Sequence, residues 1–596
     1  MIKQSLALLA TSTFLISATQ APLFAQTQEQ EANDDAIDLA VLIDEYWLYS
    51  LDQSPIFASS LGIKSADGKV SEVTLEADQK NAKRAAVFLK RLNAISTKSL
   101  NASQKADHGI LRRTLEETIE AQNYPQAALN FTNRSGWHQG FAAMSGNLPF
   151  RTLSDFQSYN DRLKQYAKVN RQSIDVANVA IARKVTLPCD AITGYEKSIS
   201  GLITENAKTS RFYSPYIDIA ASKLDKAVLT KLAKEAEDTI QNVIFPEITA
   251  HEKWYVSQYK PACNKAPGVS QQPSGAQYYD FRIRQMTTTK MSADQIHNIG
   301  LSEVARIRAE MVEVSKSAGY ETREAFIEHL RTDPKYYAKT PEELMEKVAR
   351  VTKLIDGKMP SLFGRLAVLP YGIKEIPAEI AEGTTTAYYN PGSPEIGLAG
   401  FYFVNTSKLD QRPLWEVPAL SVHEGVPGHH HQIALQQELP LSDFRKNGAF
   451  FTAFVEGWGL YSERLGIEMG LYDTPAKNMG RLSYEMWRAC RLVVDTGIHS
   501  KKWSKQQAID YMLDNTALTQ ANIEAEVNRY ISWPGQALAY KIGELKIREL
   551  RRLAEEKLGD GFDIRSFHDV VLGQGAVPLD VLDAQVKDWL GKQSAP

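Results

Sequence analysis

A chain of 596 residues, 43% hydrophobic and 23% charged, has the material for a substantial buried core and the balance of an ordinary soluble globular protein. Its formal net charge of -3 argues against nucleic acid or an anionic membrane surface as a partner. Oligomeric state is not legible from these quantities.

Met1 to Ala25 reads as a secretory leader. Lys3 supplies the positive start, Leu6 to Ile16 the apolar run, and Leu23-Phe24-Ala25 a small-residue end before Gln26. The apolar run is too short to span a membrane comfortably, and no later stretch reaches that length. No cysteine lies near the expected cleavage point, so a lipid-anchored form is not expected, and the mature chain is expected to be periplasmic or secreted. Of the three cysteines, Cys189 and Cys263 sit in loop-like contexts, T-L-P-C-D and K-P-A-C-N-K, and are expected to pair in an oxidising compartment. Cys490 lies in an apolar helical pattern and is expected to be a buried thiol.

From Asp35 the pattern is helical, with Ile37, Leu39, Ala40, Ile43 and Trp47 at three- and four-residue spacing. Amphipathic runs follow at about 76–98, 103–122, 153–184 and 216–244, separated by segments carrying Pro and Gly. The Pro-, Gly- and Ser-rich stretch Lys260 to Gln277 is the candidate boundary between an N-terminal helical lobe (26–270) and a catalytic lobe (271–596), expected to form one continuous domain; a long surface loop fits the stretch equally. Helix resumes after Ser292, which offers an N-cap, and continues in runs at 322–331 and 341–356. Between about 369 and 406 the texture changes to short strands around Ile373–Pro377, Thr384–Tyr389 and Gly400–Val404. An edge strand there suits pairing with an extended peptide, which makes Tyr388 and Tyr389 candidate substrate contacts; a purely structural hairpin fits equally. Helix returns at about Trp415 and dominates to the end. The fold class is mainly α with one small sheet.

Ser421 to Gln432 reads S-V-H-E-G-V-P-G-H-H-H-Q and holds four of the eleven histidines beside a glutamate. A His-Glu pair followed by further histidines points to a zinc hydrolase, with imidazoles on one zinc ion and Glu424 as general base toward the attacking water. Position i+4 from His423, where a regular helix would carry the second ligand, is Pro427, which lacks an N–H and cannot bind metal. If Pro427-Gly428 break the helix, His429 reaches the second-ligand position; His430 is the alternative. Thr452 to Gly466 is an apolar helical run carrying Glu456, whose burial is costly unless the carboxylate is paired or metal-bound, so Glu456 is the expected third ligand. Glu463, two turns on, suits a supporting role. Tyr540 and His499 are candidate donors to a developing oxyanion, with Tyr530 also in range and Lys541 a weaker candidate. Arg488 and Arg491 are candidates for gripping a peptide carboxylate.

The stretches V-H-E-G-V-P-G-H-H-H-Q, F-V-E-G-W-G-L-Y-S-E, W-R-A-C-R-L-V-V-D-T-G-I-H and R-Y-I-S-W-P-G-Q-A-L-A-Y-K-I-G together closely resemble the family called domain of unknown function 885, over nearly the whole mature chain. The resemblance implies an α-rich, two-lobed fold similar to thimet oligopeptidase, angiotensin-converting enzyme and the Taq-type carboxypeptidases, with a deep central channel between helical halves. It implies a zinc peptidase acting on short peptides. This chain departs from the H-E-x-x-H pattern of those peptidases at Pro427-Gly428. A non-catalytic periplasmic metal- or peptide-binding protein is the competing expectation. No G-x-S-x-G elbow supports a serine hydrolase.

Overall fold

The computed structural model describes residues 23–593 other than 218, 220, 221, 382–384, 395 and 396. The expected leader lies outside them, apart from the backbone of its last three residues. The architecture is mainly helical, with a single three-stranded sheet among the described residues.

Local chemistry sets many helix boundaries. Asn101 and Gln104 close a capping box at the start of Ala102–Ala121, and Ser292 and Gln295 do the same for Ala293–Ser317. Thr340 and Thr474 cap helices that open with Pro341 and Pro475, where a missing N–H costs nothing. The single run expected over 153–184 is two helices, Leu153–Lys164 and Tyr166–Ala182. At the joint, the Gln165 amide donates to the Asp161 carbonyl at 2.9 Å and to Gly68 O at 2.7 Å, competing with the helical ladder. The run expected over 216–244 forms a regular helix only over Lys226–Thr239, capped by Asp225, with a wider turn continuing through Ile244.

The strands are β1 (Tyr371–Glu375), β2 (Ala387–Asn390) and β3 (Gly400–Val404). Their order is β1-β3-β2, with β1 parallel and β2 antiparallel to β3, so β1 and β2 each keep an edge not paired within the sheet. Tyr402 on the central strand is fully buried.

Three apolar clusters make the interior. An aromatic one, including Trp137, Tyr159, Phe212 and Tyr259, fills the 131–259 region. A second gathers Met486, Cys490, Val494 and Tyr530 around the helix Pro475–His499. The third joins Leu39, Phe88 and Leu111 near the N-terminus to Phe454, Trp458, Leu550 and Leu590. The start and the end of the chain thus enclose the helix that carries Glu456. Cys189 and Cys263 are disulfide-bonded with Cα atoms 5.0 Å apart, and Cys490 is a buried free thiol. No helix among the described residues is long and apolar enough to cross a membrane.

Four fully buried histidines, His138, His251, His499 and His568, make stability pH-dependent. Burial pulls His138 and His499 down to about 4, and His251 and His568 down to about 3, from an ordinary 6.5. They stay neutral in the fold while the unfolded chain takes up protons below pH 6.5. Their contribution is therefore intact above that pH and is lost as pH falls toward about 4. Denaturant unfolding at pH 5 should show up to about 2 kcal/mol less stability per ring than at pH 8. Equal stability at the two pH values would contradict this account.

Candidate metal centre

The helix Val417–Glu424 ends with His423 and Glu424, and a new helix, His429–Glu438, begins after four intervening residues. Between them the backbone leaves helical geometry at Gly425 (φ -91°, ψ -128°) and Gly428 (φ -71°, ψ -131°), and the Val426–Pro427 bond is cis. Gly428 is required by close approach: a Cβ there would lie 1.9 Å from the carbonyl oxygen of His423. The break is held by Trp458, whose indole N–H donates to Pro427 O at 2.7 Å, and by the His430 N–H donating to Gly425 O at 3.1 Å.

This break turns His429 back toward His423. The two rings meet edge to face with centroids 4.7 Å apart. Glu456, on the antiparallel helix Thr452–Leu465, places Oε2 at 3.7 Å from His423 Nε2 and 3.5 Å from His429 Nε2. The three ligand atoms all lie within 4.8 Å of one another. Ligands of tetrahedral zinc at about 2.0–2.2 Å stand roughly 3.4 Å apart, so two imidazoles and a carboxylate at these distances fit that ion, with a fourth position left over. His423 packs directly on the Glu456 helix because residue 459 is glycine; a Cβ there would sit 2.7 Å from the ring.

Glu456 and Glu463 are two turns apart on one face, about 10 Å along the helix, and the His423 ring fits between them. Its Nδ1–H donates to Glu463 Oε1 at 2.8 Å, so when the ring is neutral Nε2 is the lone-pair nitrogen facing Glu456. Glu463 is in turn held by Arg488 at 3.4 Å and by the Tyr472 hydroxyl donating to its backbone carbonyl. Burial pulls the His423 imidazole down, but Glu456 and Glu463 outweigh it and hold it at about 9. Glu456 is held well below the ordinary carboxylate range by the two imidazoles, against the opposing effect of burial. The pocket is built for positive charge.

His430 points elsewhere. Its Nδ1 meets the Tyr389 hydroxyl at 2.9 Å and its Nε2 the Leu369 carbonyl at 3.0 Å, so the ring ties β2 to the second ligand helix. His431 is buried against Phe363. Glu424 is 8% exposed and makes no hydrogen bond or ion pair with any described residue, while Glu456 keeps 18% side-chain exposure, so solvent reaches the cluster.

The other expected site residues divide clearly. Both nitrogens of His499 are taken by backbone, Nδ1 by Val269 N–H at 3.1 Å and Nε2 by Tyr530 O at 2.9 Å, which gives the ring a structural task in place of the expected catalytic one. Arg491 is sandwiched among Trp487, Tyr530 and Tyr540 and paired with Glu526 at 3.1 Å; the Tyr530 hydroxyl accepts from Arg491 and Trp487. These contacts, and that of Arg488 with Glu463, use the groups expected to grip substrate. Lys541 is fully buried among Glu303, Glu485 and Glu544. Tyr388 stacks on Phe403 of the neighbouring strand. Tyr540 is 8% exposed, and its hydroxyl makes no hydrogen bond to any described residue. Trp458 and Gly459, which shape the centre, lie inside the quoted F-V-E-G-W-G-L stretch; their signal is the small residue one turn from the expected ligand.

These features define a helical protein with a partly buried His-His-Glu cluster whose geometry could hold a metal ion. The chain belongs to the family described as "Bacterial protein of unknown function (DUF885)", which matches residues 55–586. No curated protein matches. Among solved structures, "the putative lipoprotein from Colwellia psychrerythraea" is similar at 28% identity and a TM-score of 0.86, covering 94% of this chain and 99% of that one. A "putative lipoprotein of unknown function from Shewanella oneidensis" shares the fold at 19% identity and a TM-score of 0.71, over 92% of this chain and 99% of that one.

Elemental mass spectrometry on protein purified without chelators should find about one zinc per chain. His429→Ala should lose it and His430→Ala retain it. Glu463→Gln should weaken zinc binding about 10- to 100-fold in a chelator competition. Zinc retained in His429→Ala but lost in His430→Ala would reverse the ligand assignment.

Proposed function

We propose that this protein is an extracytoplasmic zinc-dependent peptidase acting on short peptides. The observation that carries the reading is Glu424, a carboxylate with no hydrogen-bond or ion-pair partner among the described residues, adjacent in sequence to His423 in the His423-His429-Glu456 cluster. A metal store has no use for such a group, whereas hydrolysis needs a base beside the metal. A zinc ion held by the trio would polarise the peptide carbonyl and acidify a water molecule. Glu424 takes the proton of the attacking water and returns it to the leaving amine. We assign Tyr540, whose hydroxyl has no hydrogen-bond partner among the described residues, as the donor to the carbonyl oxygen as negative charge develops there. The free sheet edges offer backbone N–H and C=O groups to an extended peptide, and the Tyr389–His430 contact fixes the sheet beside the second ligand helix.

The location is supported by the leader-like N-terminus, by the Cys189–Cys263 disulfide, and by the lipoprotein description of the Colwellia psychrerythraea relative.

The test is Glu424→Gln. We expect zinc content unchanged and kcat/KM on short peptides lowered about 10²- to 10⁴-fold, with Tyr540→Phe losing about tenfold or more in kcat. Turnover that survives Glu424→Gln, or a zinc-loaded wild-type chain that cleaves no member of a peptide library, would refute the peptidase reading.

A further inference from the structure

A second polar cavity lies at the other end of the first ligand helix. It encloses about 250 Å³ between the loop that enters Val417–Glu424, the β2 end of the sheet and the start of the helix Gln520–Ser532. Its walls carry Lys408, the acids Asp410 and Glu416, and two guanidinium groups that make no ion pair with any described residue. Arg412 donates to Ser407 O at 3.3 Å and to the Thr386 hydroxyl at 3.2 Å, and Arg331 donates to the carbonyls of Ala517 and Leu518. Neither has a described carboxylate within 4.0 Å, the limit for an ion pair. Arg134, also on the wall, is instead matched by Glu526 at 3.6 Å. Trp415 lines the same space at 3% exposure, and its indole N–H is buried with no partner.

Trp415 contributes a buried donor with no acceptor among the described residues, which is costly, and Arg412, partly buried, and Arg331, exposed, hold positive charge beside it, so the cavity is chemically incomplete. The missing partner must accept from guanidinium and indole N–H groups together and carry negative charge. The backbone N–H groups at the start of Gln520–Ser532 favour the same sign. The other acids on this wall, Asp410 and Glu416, do not supply it: neither comes within 4.0 Å of the Arg412 or Arg331 guanidinium, and burial pushes Glu416 up to about 7, with Tyr484 and Arg412 opposing.

We infer that this cavity binds a carboxylate, and, resting on the peptidase reading above, that the carboxylate is the free C-terminus of the peptide substrate. Glu416 and His423 are seven residues apart on one face of a helix, about 10 Å. An extended peptide covers that distance in about three residues, so one short peptide can span both sites. Arg412 and Arg331 hold the carboxylate, and Trp415 donates its N–H to it. These residues bind and position substrate and take no part in the chemical step.

The experiment compares one neutral N-acetylated tetrapeptide as free acid and as C-terminal amide. Binding is followed by calorimetry on the full chain without metal, and cleavage on the zinc-loaded chain. The acid should bind, and show a KM, at least about tenfold tighter than the amide, with Arg412→Ala, Arg331→Ala and Trp415→Phe each eroding that difference while kcat changes little. If Arg412→Ala does not fold, Arg331→Ala and Trp415→Phe carry the comparison, since one sits at the surface and the other keeps its volume. Equal binding of acid and amide, or a preference that survives these substitutions, overturns the inference. So does acetate binding as tightly as the peptide acid, which would assign the cavity to small free carboxylates. Acid-selective binding without cleavage would sink the peptidase reading and leave the carboxylate site standing. Equal cleavage of both peptides would do the reverse.

Discussion

The site depends on a helix that stops. Had Val417–Glu424 run on unbroken, the position one turn beyond His423 would be Pro427, and the next histidines would be too far along the axis to share an ion with it. Gly428 lets the chain fold so tightly that the His423 carbonyl occupies the place of a side chain. Trp458, from the helix that supplies Glu456, grips the carbonyl of Pro427. The ligand helix and the glutamate helix are therefore positioned by each other, and their relative placement sets the geometry of the cluster.

Around the cluster, charge is arranged in layers. Glu456 faces both imidazoles, Glu463 fixes the tautomer of the first, and Arg488 balances Glu463. A buried carboxylate next to buried imidazoles has a high cost unless each partner is satisfied. Here single contacts run outward from Glu456 through His423 and Glu463 to Arg488, while His429 Nδ1 and Glu463 Oε2 have no hydrogen-bond partner among the described residues. Arg488 also stacks on Tyr484 and Trp487, both of which line the second cavity. The two sites are thus joined through one packed row of side chains on the helix Pro475–His499.

The N-terminal segment has a task that its distance in sequence conceals. Leu39, Phe88 and Leu111 share a core with Phe454 and Trp458, on the same helix as the third ligand. The family match begins at residue 55 and ends at 586, so it takes in Phe88, Leu111 and the site, and leaves Leu39 outside.

The sequence by itself determined what local rules govern. Three- and four-residue periodicity marked most helices, β-branched and aromatic runs marked the sheet, and the low solvation of an apolar helix singled out Glu456 beside His423-Glu424. Where local signals competed, as at Gln165, a side chain that borrows a backbone carbonyl divided a continuous amphipathic pattern. Tertiary structure alone decided among chemically identical candidates. His429 and His430 are neighbours with the same side chain; only the direction of the chain after Gly428 sends one to Glu456 and the other to Tyr389. Arg488, Arg491 and His499 had plausible site chemistry on paper, but their hydrogen-bonding capacity is used by Glu463, Glu526 and the backbone of Val269 and Tyr530. Partners so distant in sequence leave no periodic trace, because contact through space is set by packing of the whole chain and not by spacing along it.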